Sequence, residues 1–282
     1  MSLELSRPTW LDWRWALAVI DGDLRLPGER VSVDGDDGDG GGGGGLVATP
    51  YLIDGPLDVA LRADEDTIYV DPPAAEVSAH VSQRFHLDLD VAAVTAAMER
   101  AGLGALSVGP GSGWVRRPAA AALWPYCLMH LCGGRPDDPA VVRIFRDLDC
   151  YQVLPSPSAV LSAGRQPLIE YGLAPHRAAN VLALAHVFDD RPARYDETVL
   201  RELSGDEAIA RLRELPHIGA ARARAIAGGA LGHDDVLADL LPYRERLEGT
   251  LSASWSEIQA GVARAAPYRS VLSDTLLELI AH

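Results

Sequence analysis

Residues 204–244 constrain the fold more than any other part of the chain. They read SGDEAIARLRELPHIGAARARAIAGGALGHDDVLADLLPYR. Ser204 and Glu207 have the S-x-x-E spacing of a capping box, which satisfies free N–H groups where a helix starts. Ala208, Ile209, Leu212 and Leu215 follow at helical spacing. Pro216 and Gly219 punctuate a turn. The alanine-rich run 221–227 propagates a second helix readily, and Gly228 and Gly229 are expected to end it. Two helices joined by Leu-Pro-x-Ile-Gly form a helical hairpin. Such a hairpin either packs into an all-α core or offers backbone N–H groups to a nucleic-acid phosphate. Spacing alone leaves both open.

Asp239 lies downstream, in the otherwise apolar run 236–241. A carboxylate flanked by Val, Leu and Ala is either a helix N-cap or a functional group in a lined pocket. It stands 20 residues after Gly219 and 5 before Arg244.

The rest of the chain divides into two styles. Residues 24–33, 57–63 and 67–71 suit strands, with Val59 and Leu61 on one face and Ile68 and Val70 on its counterpart. Asp64-Glu65-Asp66 makes the turn between the last two. Helices are expected from Pro73 to about Phe85 and from Asp90 to Ala101. The run 34–45 (DGDDGDGGGGGG) reads as a solvated linker; no closing Glu turns its aspartates into a calcium loop. Past the GPGSG at 109–113 strand signals nearly vanish, and helices are expected over 117–132, 139–148, 156–163, 175–188 and 196–203. Ser254 and Glu257 cap another, Pro267 breaks it, and Val271, Leu272, Thr275, Leu276, Leu279 and Ile280 mark a last one. The expected class is α+β: a small α+β domain over 1–113 and a mainly helical domain over 114–282.

With 282 residues and 48% hydrophobic content, one large or two ordinary cores can be buried. No apolar run reaches the ~18 residues of a membrane span, and the N-terminus lacks the pattern of a signal peptide. Cys127, Cys132 and Cys150 are sparse and odd in number, as expected for reduced thiols in a cytoplasmic protein. Cys127-x4-Cys132 with His130 between lacks a second ligand pair, so no metal site is expected. The net charge is −15 and the chain contains no lysine; all its strong cations are arginine. That balance argues against a generally basic nucleic-acid binder, because phosphate neutralisation supplies much of such affinity. A local basic face stays compatible with it.

Taken together, Leu215-Pro216-His217-Ile218-Gly219 and Asp239 at their spacing resemble the helix-hairpin-helix DNA glycosylase superfamily. The wider order is similar to its 3-methyladenine DNA glycosylase II branch. Residues 11–15 (Leu-Asp-Trp-Arg-Trp), 154–157 (Leu-Pro-Ser-Pro), 172–178 (Gly to Arg-Ala) and 267–270 (Pro-Tyr-Arg-Ser) match its motifs in sequence. The resemblance implies a monofunctional enzyme of base excision repair that flips a damaged purine, alkylated or deaminated, out of double-stranded DNA and hydrolyses its glycosidic bond. Asp239 matches the catalytic aspartate, which would stabilise an oxocarbenium-like transition state. Leu215, His217, Gly219, Ala221, Arg222, Arg244 and Arg269 fall at DNA-binding places, and Tyr126, His130, Ala225 and Leu277 at the base pocket. A monomer in the cytoplasm is expected. The resemblance leaves open one cofactor, a monovalent cation at the hairpin.

The chain also departs from the pattern. Some members use a lysine two residues after the hairpin glycine to form a Schiff base; Ala221 stands there. His217 replaces a glycine that lets the backbone approach phosphate. Ala221, Ala225 and Leu277 replace aromatics, leaving Trp114, Trp124 or Tyr126 to supply stacking. Arg211, Arg213, Arg222 and Arg224 with Arg244 and Arg269 are the candidates for a positive face, and Asp234 and Asp235 read as loop surface. The rival functions are a catalytically weakened DNA- or protein-binding module and an N-glycosidase acting on a non-DNA nucleoside.

Overall fold

The structure is a computed structural model. It describes residues 3–8, 11, 13–20, 30–32, 45–48, 59–64, 66–71, 73, 75–102, 114–120, 122–133, 137–148 and 155–281. The linker reading of 34–45, apart from Gly45, lies outside these residues, as do GPGSG 109–113, Asp12, Cys150 and Leu154.

The first lobe is a five-stranded antiparallel sheet with helices. Its strands are β1 (Leu3–Ser6), β2 (Arg30–Ser32), β3 (Gly45–Ala48), β4 (Val59–Ala63) and β5 (Thr67–Asp71), ordered β1-β5-β4-β3-β2. The period-2 pattern sets its buried face: Leu61 pairs with Val70 and Ala63 with Ile68, and all four are buried. Asp64 makes the β4–β5 turn, its Oδ1 accepting the N–H groups of Asp66 (3.0 Å) and Thr67 (2.9 Å). The same lobe holds α1 (Trp13–Val19), α2 (Ala75–Arg84) and α3 (Val91–Ala101). Asp90 caps α3 through the Ala93 N–H.

Residues 114–120 are not the start of a helix, contrary to the pattern expected over 117–132. The chain crosses here in extended form, its N–H groups used elsewhere: Ala119 donates to Arg84 (2.8 Å) and Ala120 to Gly229 (2.6 Å). Pro118 cannot join a helical ladder, and these tertiary bonds outweigh alanine's helical preference. α4 begins only at Leu123 (Leu123–Cys132), its first N–H capped by the Glu197 carboxylate.

Then follow α5 (Pro139–Asp147), α6 (Pro157–Ala163), α7 (Arg165–Glu170), α8 (Pro175–Asp190) and α9 (Glu197–Glu202). Asp138, Ser156 and Asp196 cap α5, α6 and α9 with side-chain oxygens. The hairpin is α10 (Gly205–Leu212) and α11 (Ala220–Gly229), and the chain ends with α12 (Arg244–Leu251), α13 (Trp255–Arg264) and α14 (Arg269–Ala281). Both expected capping boxes, Ser204/Glu207 and Ser254/Glu257, are formed. Gly228 and Gly229 sit inside the last turn of α11 rather than ending it; Ala230 is the cap. Arg201 donates to the Ala230 and Leu231 carbonyls there, which supplies the C-terminal cation that a helix favours.

Two hydrophobic cores organise these elements, and they do not follow a cut at residue 113. One core is helical and gathers α4 to α11, closed by Leu231 and Val236. The other packs the sheet and α1–α3 with Trp114 and with Leu240, Leu247, Ile258, Val262, Val271, Leu272, Leu276 and Ile280 from the chain's far end. Arg264 fastens α13 to the end of α3, donating to the Arg100 (2.9 Å) and Ala101 (3.1 Å) carbonyls. The last three helices thus complete the N-terminal lobe's core.

Candidate nucleic-acid interface and catalytic site

The hairpin turn is built by its own backbone: the Leu215 N–H donates to Leu212 and the Ile218 N–H to Leu215. His217 takes φ +61°, the left-handed conformation expected where the pattern carries glycine. Arg222 holds it there, donating from Nη1 to the His217 carbonyl at 3.0 Å. Gly219 precedes α11 and has no side chain to cap the helix's first N–H groups, and a Cβ built on it would meet no atom within 4 Å. The turn therefore presents open backbone. Nothing internal to the fold crowds Gly219.

The expected hairpin residues separate by burial. His217, Gly219, Ala221 and Arg222 are exposed, whereas Leu215 is 2% exposed and belongs to the helical core. The Leu215 side chain anchors the turn from inside and is not available to DNA. Arg213 and Arg224 are exposed beside Arg222, while Glu214 is paired with Arg194. The cation left open by the resemblance would have to share the turn's carbonyls with the chain's own donors. The His217 carbonyl already accepts a guanidinium, and the Leu215 carbonyl already accepts the Ile218 N–H.

Asp239 lies where the chain passes from one core to the other. Val236 is buried in the helical core and Leu240 in the sheet core, with Asp239 exposed between them. Its Oδ1 accepts the Leu241 N–H at 3.2 Å, two residues on, just before the short turn Leu241–Tyr243. Among the described residues no group hydrogen-bonds its second oxygen. One oxygen is thus held by the backbone while the residue as a whole stays exposed. Leu241 and Tyr243, next to it, are the most exposed large apolar side chains nearby, at 61% and 40%.

The segment before Asp239 is sewn to α14. The Ser270 N–H donates to the Asp234 carbonyl (2.8 Å), Ser270 Oγ accepts the Val236 N–H (3.0 Å), and Ser273 Oγ accepts the Ala238 N–H (3.3 Å). Arg269 forms a two-pronged ion pair with Asp235 (2.6 and 2.9 Å). Asp234 meets Arg116 Nε at 3.2 Å. One expectation is corrected here. Asp234 and Asp235 are half-buried partners of arginines rather than loop surface. Arg269 is held by Asp235 through Nε and Nη2. Burial raises the Asp234 pKa, opposed by Arg116. Arg244 is exposed but paired with Glu248 at 3.3 Å.

The four expected base-pocket residues come from α4, α11 and α14. Tyr126 is buried in the helical core, its ring edge-on to His130 at 4.5 Å. α11 packs on α4; burial lowers the His130 pKa, with Arg222 adding to the effect, and its Nε2 is buried without a partner. Ala225 is exposed on α11, and Leu277 is packed against the other core. Trp114 and Trp124 are core residues: Trp114 donates to Thr95 (3.3 Å) and Trp124 to the Pro155 carbonyl (2.7 Å).

Residues that sequence reasoning missed are Arg116, Ser273 and Asp274. Their signal was present. Ser270, Ser273 and Asp274 recur at i, i+3 and i+4 on a helix whose apolar pattern marks that side as buried, and buried polar groups require partners.

Among the described residues no helix is long and apolar enough to cross a membrane, and no group of three His, Cys, Asp or Glu side chains could hold a metal. No family model matches the sequence, nor does any curated protein. Solved structures do match. A 3-methyladenine DNA-glycosylase from Archaeoglobus fulgidus is similar over 97% of this chain and 96% of its own, with TM-score 0.68 at 16% identity. MBOgg1 in complex with a low-affinity DNA ligand is similar over 89% and 88%, with TM-score 0.59 at 13% identity. A DNA-3-methyladenine glycosidase from Bacillus halodurans is similar over 71% and 88%, with TM-score 0.52 at 15% identity. The α+β lobe and helical lobe of this chain thus share the fold of these helix-hairpin-helix glycosylases.

Proposed function

We propose that the chain is a monofunctional DNA N-glycosylase that removes an alkylated or deaminated purine from double-stranded DNA, acting as a monomer in the cytoplasm. The observation that carries this is Asp239, an exposed carboxylate at the crossing between two cores, on a segment pinned to α14 and 20 residues past the hairpin glycine. The similar solved structures include two named for 3-methyladenine, which supports a purine lesion.

In this mechanism the hairpin's exposed backbone and Arg222 take a phosphate, and the damaged nucleotide rotates out of the stack. The bond between C1′ and the base nitrogen lengthens, leaving positive charge on the sugar. Asp239 stabilises that charge and orients a water, whose oxygen attaches to C1′ as the base leaves with the bonding electrons. The water's second proton ends on the departing base where that base is a neutral deaminated purine, and in solvent where alkylation had already made it cationic. A lysine Schiff base has no residue to form on, since the chain has no lysine. Ala221 and Ala225 offer small exposed surfaces where a stacking ring would otherwise stand.

Incubation with duplexes carrying 3-methyladenine, 7-methylguanine, hypoxanthine or ethenoadenine, scored for abasic sites, tests the proposal. Release by wild type and its loss in Asp239→Asn is the expected result. Equal release by both would sink the mechanism. Salt-sensitive binding without release would favour the binding-module reading, and neither activity the non-DNA nucleoside reading.

A further inference from the structure

Arg116 lies outside every motif that points to the glycosylase site, yet it is the most fully engaged side chain near Asp239. Its guanidinium is 2% exposed. Nε donates to Asp234 (3.2 Å) and Nη1 to Asp274 on α14 (2.9 Å). Nη2 donates to the carbonyls of Gly232 (3.1 Å) and His233 (3.2 Å). The Arg117 N–H also binds Asp274 (3.0 Å), so the crossing segment is clamped at two successive residues.

These contacts join three parts of the fold: the segment 114–120 between the lobes, the loop leaving the hairpin, and the helix that completes the sheet core. The loop has little freedom elsewhere. Gly232 sits at φ +73°, and a Cβ there would approach His86 Cε1 to 3.0 Å, so the backbone passes tightly over the lobe junction. From Gly232 to Ala238 the loop is anchored by Arg116 at its start, by His233 to Ala227 and Leu200, and by Arg269 and the two serines of α14 further on. Asp239 is the next residue.

We infer that Arg116 is a positioning residue for Asp239: it fixes the start of the loop against α14, so that the carboxylate is held in register between the two lobes. The inference rests on the proposed role of Asp239, but its structural half stands independently. The planar fork is what the site uses, because carboxylates and carbonyls are bound from three nitrogens at once. A lysine has no equivalent fork. Misplacing a catalytic group by about 1 Å can cost on the order of a hundredfold in rate.

The test uses the full chain with Arg116→Lys and the milder Asp274→Asn, which keeps an oxygen to accept from Arg116. Two quantities are read: amide hydrogen exchange and base release. Both variants should speed exchange at Val236, Ala238 and Leu241 while Ala223 and Ile226 in α11 keep their protection. With an active wild type, Arg116→Lys should lower kcat at least tenfold with KM and DNA affinity within twofold, and Asp274→Asn less. Unchanged exchange over 236–241 in both variants would overturn the inference, as would faster exchange spread evenly through both cores or equal losses in affinity and rate. A wild type that releases no base would instead count against the glycosylase reading, and the exchange pattern would still decide whether Arg116 holds the loop.

Discussion

Val236 and Leu240 stand four residues apart and are buried in different cores, 3% and 4% exposed. The chain between them must leave one core and enter the other, so Asp239 is carried to the surface at the boundary. A carboxylate there is tethered at both sides but open in front.

The first prediction concerns that carboxylate. Asp239→Asn keeps an oxygen for the Leu241 N–H and removes the charge. Its melting temperature should match wild type, while kcat falls about 10²–10³-fold, the scale of losing one electrostatic stabiliser. Asp239→Ala should lose the hydrogen bond to the Leu241 N–H as well, about 1 kcal/mol of stability. Single-turnover base release and urea unfolding read the two effects separately.

His217 is strained and held by Arg222. His217→Gly should raise stability by about 0.5–1 kcal/mol, since a non-glycine residue at positive φ costs more than glycine's added chain entropy. DNA affinity should tighten as the turn opens to phosphate. Arg222→Ala should weaken binding across all sequences and reduce the salt slope by about 1. A fluorescence titration at several salt concentrations measures both; an unchanged slope would place Arg222 outside the interface.

Acid should destabilise the fold. Burial holds the His80 pKa at about 3, with Arg84 and Arg201 adding to the effect. Burial, then Arg116 and Arg201, hold His86 well below its ordinary value. His130 and His233 are lowered too, chiefly by burial. Unfolded, each binds a proton below about pH 6.5. The unfolded state then carries more protons, and stability is lost as pH falls from there towards the folded values. Asp234 works in the opposite sense: its raised pKa favours the folded state in acid, and that contribution is lost as pH rises through the folded value. The histidines outnumber it. Urea midpoints should drop between pH 7 and pH 5, and His80→Gln should lessen the slope by up to about 1.4 kcal/mol per pH unit. Parallel curves for variant and wild type would remove His80 from the account.

The C-terminal helix belongs to the sheet core. Leu276 is fully buried there, so Leu276→Ala should cost about 2–5 kcal/mol. Limited proteolysis should then open the N-terminal lobe first. Cleavage confined to the hairpin lobe would contradict the shared core.

Local signals in the chain were strong where a few adjacent residues decide the outcome. The capping boxes at Ser204 and Ser254, the alternation in β4 and β5, and the hairpin with its spacing to Asp239 are all written in short range. Other elements carried little local signal. β1 has only four residues, and α7 and α12 are short and mixed in polarity. The helix expected from residue 117 fails because Arg84 and Gly229, distant in sequence, take the N–H groups it would have used.

By itself, the sequence determined the class of fold, the hairpin, the absence of any lysine nucleophile and the choice of Asp239. The hairpin and Asp239 depend on residue type and spacing within about forty positions, the class and the missing lysine on the composition and order of the whole chain. Only the tertiary structure decided that the last helices close the first lobe, that Leu215 and Arg269 are occupied internally, and that Arg116 meets Asp274 across the chain. Burial and ion pairing are properties of surfaces brought together. A pattern read along one strand of sequence cannot say which distant face will satisfy a buried charge.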